Sequence, residues 1–210
     1  MRNLYFILGH IDDFEISCLG YLFRHHKKYN NIFIIISSTW DKKVPIWEEN
    51  LKLIQEKIPN KIFYKNLGFK QRRLMQNIDD LKDSLYGVID FKGRFDIVTH
   101  DENDCHTDHR AVNMVSRGLF KYTGRFVSIY SPSSVDFRSN YWIGLYKSTY
   151  DLKKVCMDKY NIENEESYTK SGYYMQNEEH YNIGKSYYIE NFVHHDYEHY
   201  ESYRIVKWLE

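Results

Sequence analysis

The stretch Leu4-Tyr5-Phe6-Ile7-Leu8-Gly9-His10-Ile11-Asp12-Asp13-Phe14-Glu15 decides the reading of this chain. Five apolar residues end at a glycine, as in a short buried strand. Imidazole and carboxylates follow at once. Behind them, Glu15–Lys28 carries Ile16, Leu19, Leu22 and Phe23 at helical spacing. A buried strand that turns through polar residues into a helix is the opening unit of an α/β sheet.

The pattern repeats outward from there. Ile32-Phe33-Ile34-Ile35-Ile36 within Asn31–Ser38 is a continuous apolar run, typical of a strand covered on both faces. Trp47–Ile58 shows Leu51, Ile54 and Ile58 at helical spacing and stops at Pro59. Lys61–Tyr64 reads as a short strand, and Ile78–Ile89 as a helix through Ile78, Leu81, Leu85 and Ile89. Phe95–Thr99 is a strand, His109–Leu119 a helix and Phe126–Tyr130 a strand. Beyond Ser131 only a helix over Tyr150–Tyr160 and a late strand over Arg204–Leu209 are expected. Strands and helices in alternation imply a Rossmann-like, mostly parallel sheet with helices on both faces. At 210 residues the expectation is one domain over the whole chain.

Lysine plus arginine equal aspartate plus glutamate, at 29 each, so the net charge does not call for nucleic acid or an acidic membrane. No stretch approaches the roughly 20 apolar residues of a spanning helix. The run at Leu4–Leu8 is too short for a signal-peptide core. The three cysteines, Cys18, Cys105 and Cys156, are odd in number and widely spaced, which fits reduced thiols. The expectation is a soluble, cytoplasmic protein with a small-molecule substrate; a homo-oligomer is compatible with it.

In a parallel α/β sheet, ligands sit at the carboxyl ends of the strands. Two loops there are rich in chemistry. One is His10-Ile11-Asp12-Asp13. The other is Asp104-Cys105-His106-Thr107-Asp108-His109. Together they bring three histidines and four aspartates to one sheet edge. Clustered carboxylates repel, and a divalent cation removes that cost. His10 and Asp13 can converge on one point while Asp12 projects to the side; His109 opens its helix, with His106 and Asp108 on the loop before it. Two histidines and one aspartate leave a position open for water, the pattern of a catalytic metal site. The competing explanation for Asp12, Asp13 and Asp108 is helix capping. Cys105 is a weaker ligand candidate. His25, His26, His194, His195 and His199 lack such context and read as surface or partly buried.

These two segments resemble the motifs of the PIG-L / LmbE-like deacetylases. The family's His-Pro-Asp-Asp appears as His10-Ile11-Asp12-Asp13, and its His-Pro-Asp-His as His106-Thr107-Asp108-His109, followed by Arg110-Ala111-Val112. Ser131-Pro132-Ser133-Ser134 with Phe137 and Asn140, and Glu190-Asn191-Phe192, are weaker matches. Both motif prolines are replaced, by Ile11 and Thr107. Gly9 stands where alanine is usual, a departure read as minor. The resemblance implies Zn2+ held by His10, Asp13 and His109, with Asp12 as general base. His106 would be the protonated electrostatic helper at the substrate carbonyl. Asp108, with Asp104 as a second candidate, would orient His106. Iron, cobalt or manganese also suits these donors.

The implied reaction removes an acetyl group from an N-acetylglucosamine-type sugar, on a glycoside or a nucleotide. Lys70-Gln71-Arg72-Arg73 reads first as a solvated basic loop and second as a phosphate site. The alternatives are metal-dependent hydrolysis of another amide or a phosphoester, or an inactive sugar-binding protein.

Overall fold

The computed structural model describes residues 2–160, 197 and 199–208. Seven strands form one sheet, in the order β3-β2-β1-β4-β5-β7-β6. They are β1 (Arg2–Leu8), β2 (Asn31–Ser38), β3 (Lys61–Phe69), β4 (Arg94–Thr99), β5 (Thr123–Ile129), β6 (Tyr141–Leu145) and β7 (His199–Trp208). The helices are α1 (Asp13–Ser17), α2 (Leu19–His25), α3 (Val44–Gln55), α4 (Ile78–Tyr86), α5 (Thr107–Arg117) and α6 (Lys147–Asp158).

Strand β1 runs through the middle, parallel to β2 on one side and β4 on the other. Its alternation supplies both cores. Leu4, Phe6 and Leu8 pack with Phe14, Leu22, Trp47 and Ile54 on one face. Tyr5 and Ile7 pack with Leu81, Leu85, Ala111 and Val112 on the other. Each Leu, Ile, Val or Phe among them contributes about 1.5–3 kcal/mol by leaving water. A strand covered on both faces has no polar position to spare, hence the unbroken apolar run.

The expected parallel α/β sheet is present, but its last third differs. Strand β7 lies antiparallel between β5 and β6. Strand β6 carries no run long enough to read as a strand, and its pairing with β7 joins segments far apart in sequence. The predicted strand at Arg204–Leu209 begins earlier, at His199. Strand β3 extends past Tyr64 to Phe69. The expected helix over Glu15–Lys28 is two helices broken at Cys18. The cause is tertiary: the amides of Gly20 and Tyr21 donate to Glu201 Oε2 and the Tyr203 hydroxyl on β7.

Three of the five histidines set aside as surface or partly buried are in fact buried. His25 bonds the Tyr141 hydroxyl at 2.9 Å, His26 bonds Asn60 Oδ1 at 2.8 Å, and His199 stacks on Tyr150. His194, His195 and the segment Glu190-Asn191-Phe192 lie outside the described residues. Among the described residues, no helix is long and apolar enough to cross a membrane.

Candidate metal centre

The chain runs from β1 to β2 and β3 in one direction, then returns to place β4 on the other side of β1. The loops that leave β1 and β4 therefore diverge, and a cleft opens between them. The first loop delivers His10, Asp12 and Asp13; the second delivers His100, Asp104, His106, Asp108 and His109.

Three donor atoms converge. His10 Nδ1 is 3.0 Å from His109 Nε2. Asp13 Oδ2 is 3.5 Å from His10 Nδ1 and 3.4 Å from His109 Nε2. Tetrahedral zinc with ligand bonds of about 2.0–2.1 Å places its donors about 3.3 Å apart. The triangle has that size, so these residues fit the cation. Two other sets of potential ligands share His109, one with His10 and His106, the other with Asp13 and His100. In the second, His100 Nε2 already accepts the Gly9 amide at 2.9 Å, which occupies its lone pair. In the first, His106 Nδ1 accepts the Asp108 amide at 3.2 Å.

Each imidazole of the triangle is backed by a carboxylate on its far nitrogen. Asp104 Oδ2 lies 2.9 Å from His109 Nδ1. Asp108 Oδ2 lies 3.2 Å from His10 Nε2. Such partners fix the tautomer and the ring plane. This differs from the expected arrangement, in which Asp108 orients His106. The Asp108 carboxylate also accepts the amides of Arg72 at 2.6 Å and Leu74 at 3.2 Å, and only its backbone N–H touches the His106 ring. Asp104 touches His106 only at its backbone amide, at 2.8 Å. Asp104 is itself held by the hydroxyls of Ser131 and Ser133.

Helix capping does not account for the aspartates. Asp12 precedes α1 but makes no side-chain capping bond. Asp108 lies inside the first turn of α5, which starts at Thr107 with His106 as its cap. The expected helix start at His109 is thus two residues late. Asp12 Oδ2 meets the Lys43 ammonium at 2.6 Å, and both residues are buried.

Burial disfavours charge on His10, yet its bonds to Asp108 and Asp13 outweigh this and raise its pKa to about 10. Burial likewise opposes charge on His109, and Asp13 and Asp104 raise its pKa to about 9. Burial raises the pKa of Asp13, but the charges of His109, His100 and His10 hold it well below the carboxylate range. These shifts follow from the carboxylates packed against the two imidazoles. His106 goes the other way: burial, then the charges of His109 and His10, lower it to about 4. The ring is neutral near pH 7, not protonated as expected. With the Asp108 amide donated to Nδ1, its proton sits on Nε2, which stays a donor.

Two contributors lie outside both motifs. His100, fully buried, stacks on His109 with centroids 3.7 Å apart and planes at 8°. It follows β4 as Gly9 follows β1, and that equivalence was the signal available. Lys43 sits in a short turn with no periodic context. Cys105 is exposed and in neither ligand set.

No family model matches the chain, and no curated protein matches it. Solved structures do. N,N'-diacetylchitobiose deacetylase from Pyrococcus horikoshii aligns over 98% of this chain and 83% of its own, with a TM-score of 0.65 and 12% identity. The deacetylase of teicoplanin biosynthesis aligns over 98% of both chains, with a TM-score of 0.62 and 11% identity. GalB, the 4-carboxy-2-hydroxymuconate hydratase of Pseudomonas putida, aligns over 98% and 96%, with a TM-score of 0.61 and 12% identity. The α/β fold is shared with all three.

Proposed function

We propose that this chain is a metal-dependent hydrolase that removes the acetyl group from the amine of an N-acetylated amino sugar. The observation that carries the reading is the triangle of His10 Nδ1, Asp13 Oδ2 and His109 Nε2, with a carboxylate behind each imidazole. The fold shared with two deacetylases, one of N,N'-diacetylchitobiose and one of teicoplanin biosynthesis, supports the choice of amide.

His10, Asp13 and His109 would hold the metal, most simply zinc. When bound, a divalent ion lowers the pKa of water from about 15.7 toward about 7 and polarises a carbonyl. Asp12, fixed through Oδ2 by Lys43, takes the proton from the attacking water. His106 donates from Nε2 to the carbonyl oxygen as negative charge grows there. Asp12 then returns its proton to the departing nitrogen. Water adds to the acetyl carbon, the C–N bond breaks, and acetate and the free amine leave. Asp108 and Asp104 keep the imidazoles of His10 and His109 aimed at the metal.

The test is acetate release from a panel of N-acetylated amino sugars, with and without chelator, beside a metal assay. Asp12→Asn should keep its metal and lose activity; His109→Ala should lose both. His106→Ala should keep its metal and lose about 10²–10³ in rate. Full metal content with hydration of an unsaturated acid and no acetate release would transfer the chain to the chemistry of its hydratase neighbour. Activity that survives complete metal removal would end the proposal.

A further inference from the structure

Two loops leave neighbouring strands beside the metal centre. Ser38 at the end of β2 pairs with Phe69 at the end of β3, so Trp40 and residues 70–73 depart side by side. Trp40 is 45% exposed. Its position is not free: Lys43, in the same turn, holds Asp12 at 2.6 Å while its ammonium sits 5.6 Å from the Trp40 ring centroid. One lysine therefore links the exposed indole to the proposed general base.

In the adjacent loop Arg72 adopts a φ of 61°. This left-handed backbone is relaxed for glycine and strained for a residue with a side chain. It is held there by the site itself, because the Arg72 amide donates to Asp108 at 2.6 Å and Asp108 meets His10 at 3.2 Å. A long cation thus occupies a position where glycine would be easier. Strain kept at such a place points to a use for the side chain. Arg72 and Lys70 are both exposed, and neither makes an ion pair among the described residues.

We infer that Trp40, Lys70 and Arg72 form a subsite for a nucleoside diphosphate, so that the acetylated sugar arrives attached to one. An indole at the rim offers a stacking face to a nucleobase. Arginine and lysine offer charge-assisted bonds to phosphate oxygens. A neutral glycoside would use the indole and leave both cations idle. A sugar phosphate, its one ring already held at the metal centre, would use the cations and leave the indole in water. Only a ligand with a flat ring and phosphates uses all three. The inference rests on the deacetylase reading for the sugar, and on the rim alone for the nucleotide.

Calorimetry with uridine diphosphate tests the rim without turnover. The intact chain should bind it, and more weakly as salt rises. Arg72→Gly, which suits the backbone and so should fold, should weaken binding at least tenfold. Trp40→Ala should do the same, and Trp40→Phe should recover most of the loss. In acetate release, each weakened variant should lower the kcat/KM ratio of uridine-diphosphate-linked over free N-acetylglucosamine at least tenfold. Acetate release with no binding of uridine diphosphate, or binding that neither variant weakens, overturns the subsite and leaves the deacetylase standing. Binding with those losses, but no acetate from any amino sugar, keeps the subsite and overturns the deacetylase.

Discussion

Asp104 Oδ2 lies 2.9 Å from Nδ1 of His109, on the side of the ring opposite the nitrogen that faces His10. The contact sets the tautomer of His109 and leaves its Nε2 lone pair toward the ligand triangle. Removing that charge while keeping the shape isolates its effect. Asp104→Asn should lower metal affinity about 10–100-fold, as loss of an outer partner typically does. Competition with a chromophoric chelator reads this directly. Ser131→Ala and Ser133→Ala, which each remove one hydroxyl from Asp104, should act in the same direction and by less.

Gly9 matters more than its sequence reading as a minor departure suggests. A methyl group there would sit 2.8 Å from His109 Cδ2 and 3.4 Å from both Asp13 Oδ2 and His100 Nε2. His109 cannot retreat, because His100 is stacked against it. Gly9→Ala should therefore displace His109 from the triangle and weaken metal binding, with an overpacking cost of about 1–3 kcal/mol. Metal titration and thermal melting of the same sample check both effects.

The convergence of His10, Asp13 and His109 is legible in the sequence because they come from two contiguous motifs at equivalent strand ends. The partners behind it were harder to read. Asp104 and Asp108 were visible as acids near histidines, but which ring each one serves depends on how α5 starts. The helix starts at Thr107 rather than at the expected His109, and the carboxylate of Asp108 meets His10 rather than His106. Lys43 reaches Asp12 across 31 positions from a turn that has no pattern. The order of β5, β7 and β6 depends on pairings between distant segments, such as Tyr141 with Tyr203. Periodicity reports which face a residue presents and says nothing about such partners.

Lys153 and Glu201 form an ion pair with no exposure on either side chain, at 2.7 Å. Further bonds satisfy the pair: Lys153 donates to the Ile16 carbonyl, and Glu201 accepts from the Gly20 amide and the Tyr203 hydroxyl. The pair ties α6 and β7 to the helices that follow the first motif. Lys153→Met strands a buried carboxylate and should cost about 3–5 kcal/mol. The double change of Lys153→Met with Glu201→Gln removes both charges and should cost less than the sum of the singles. Urea unfolding of the four proteins completes the cycle.

His25 and His199 make the fold acid-sensitive. Burial, then the charges of Lys28, Arg125 and Arg24, pushes the pKa of His25 down to about 3. Burial, then Lys153, lowers His199 to about 3. Both rings are neutral in the folded chain, whereas the unfolded chain takes up protons below about pH 6.5. Between those values the unfolded state binds more protons, so stability falls as pH falls. The full contribution is present above about 6.5, and each histidine can remove up to about 1.4 kcal/mol per pH unit on the way down. His25→Gln offers the Tyr141 hydroxyl a partner that does not titrate. Its melting temperature should therefore fall less steeply than that of the unaltered chain between pH 6.5 and 4. Parallel melting curves across that window would show that His25 is not a source of the acid lability.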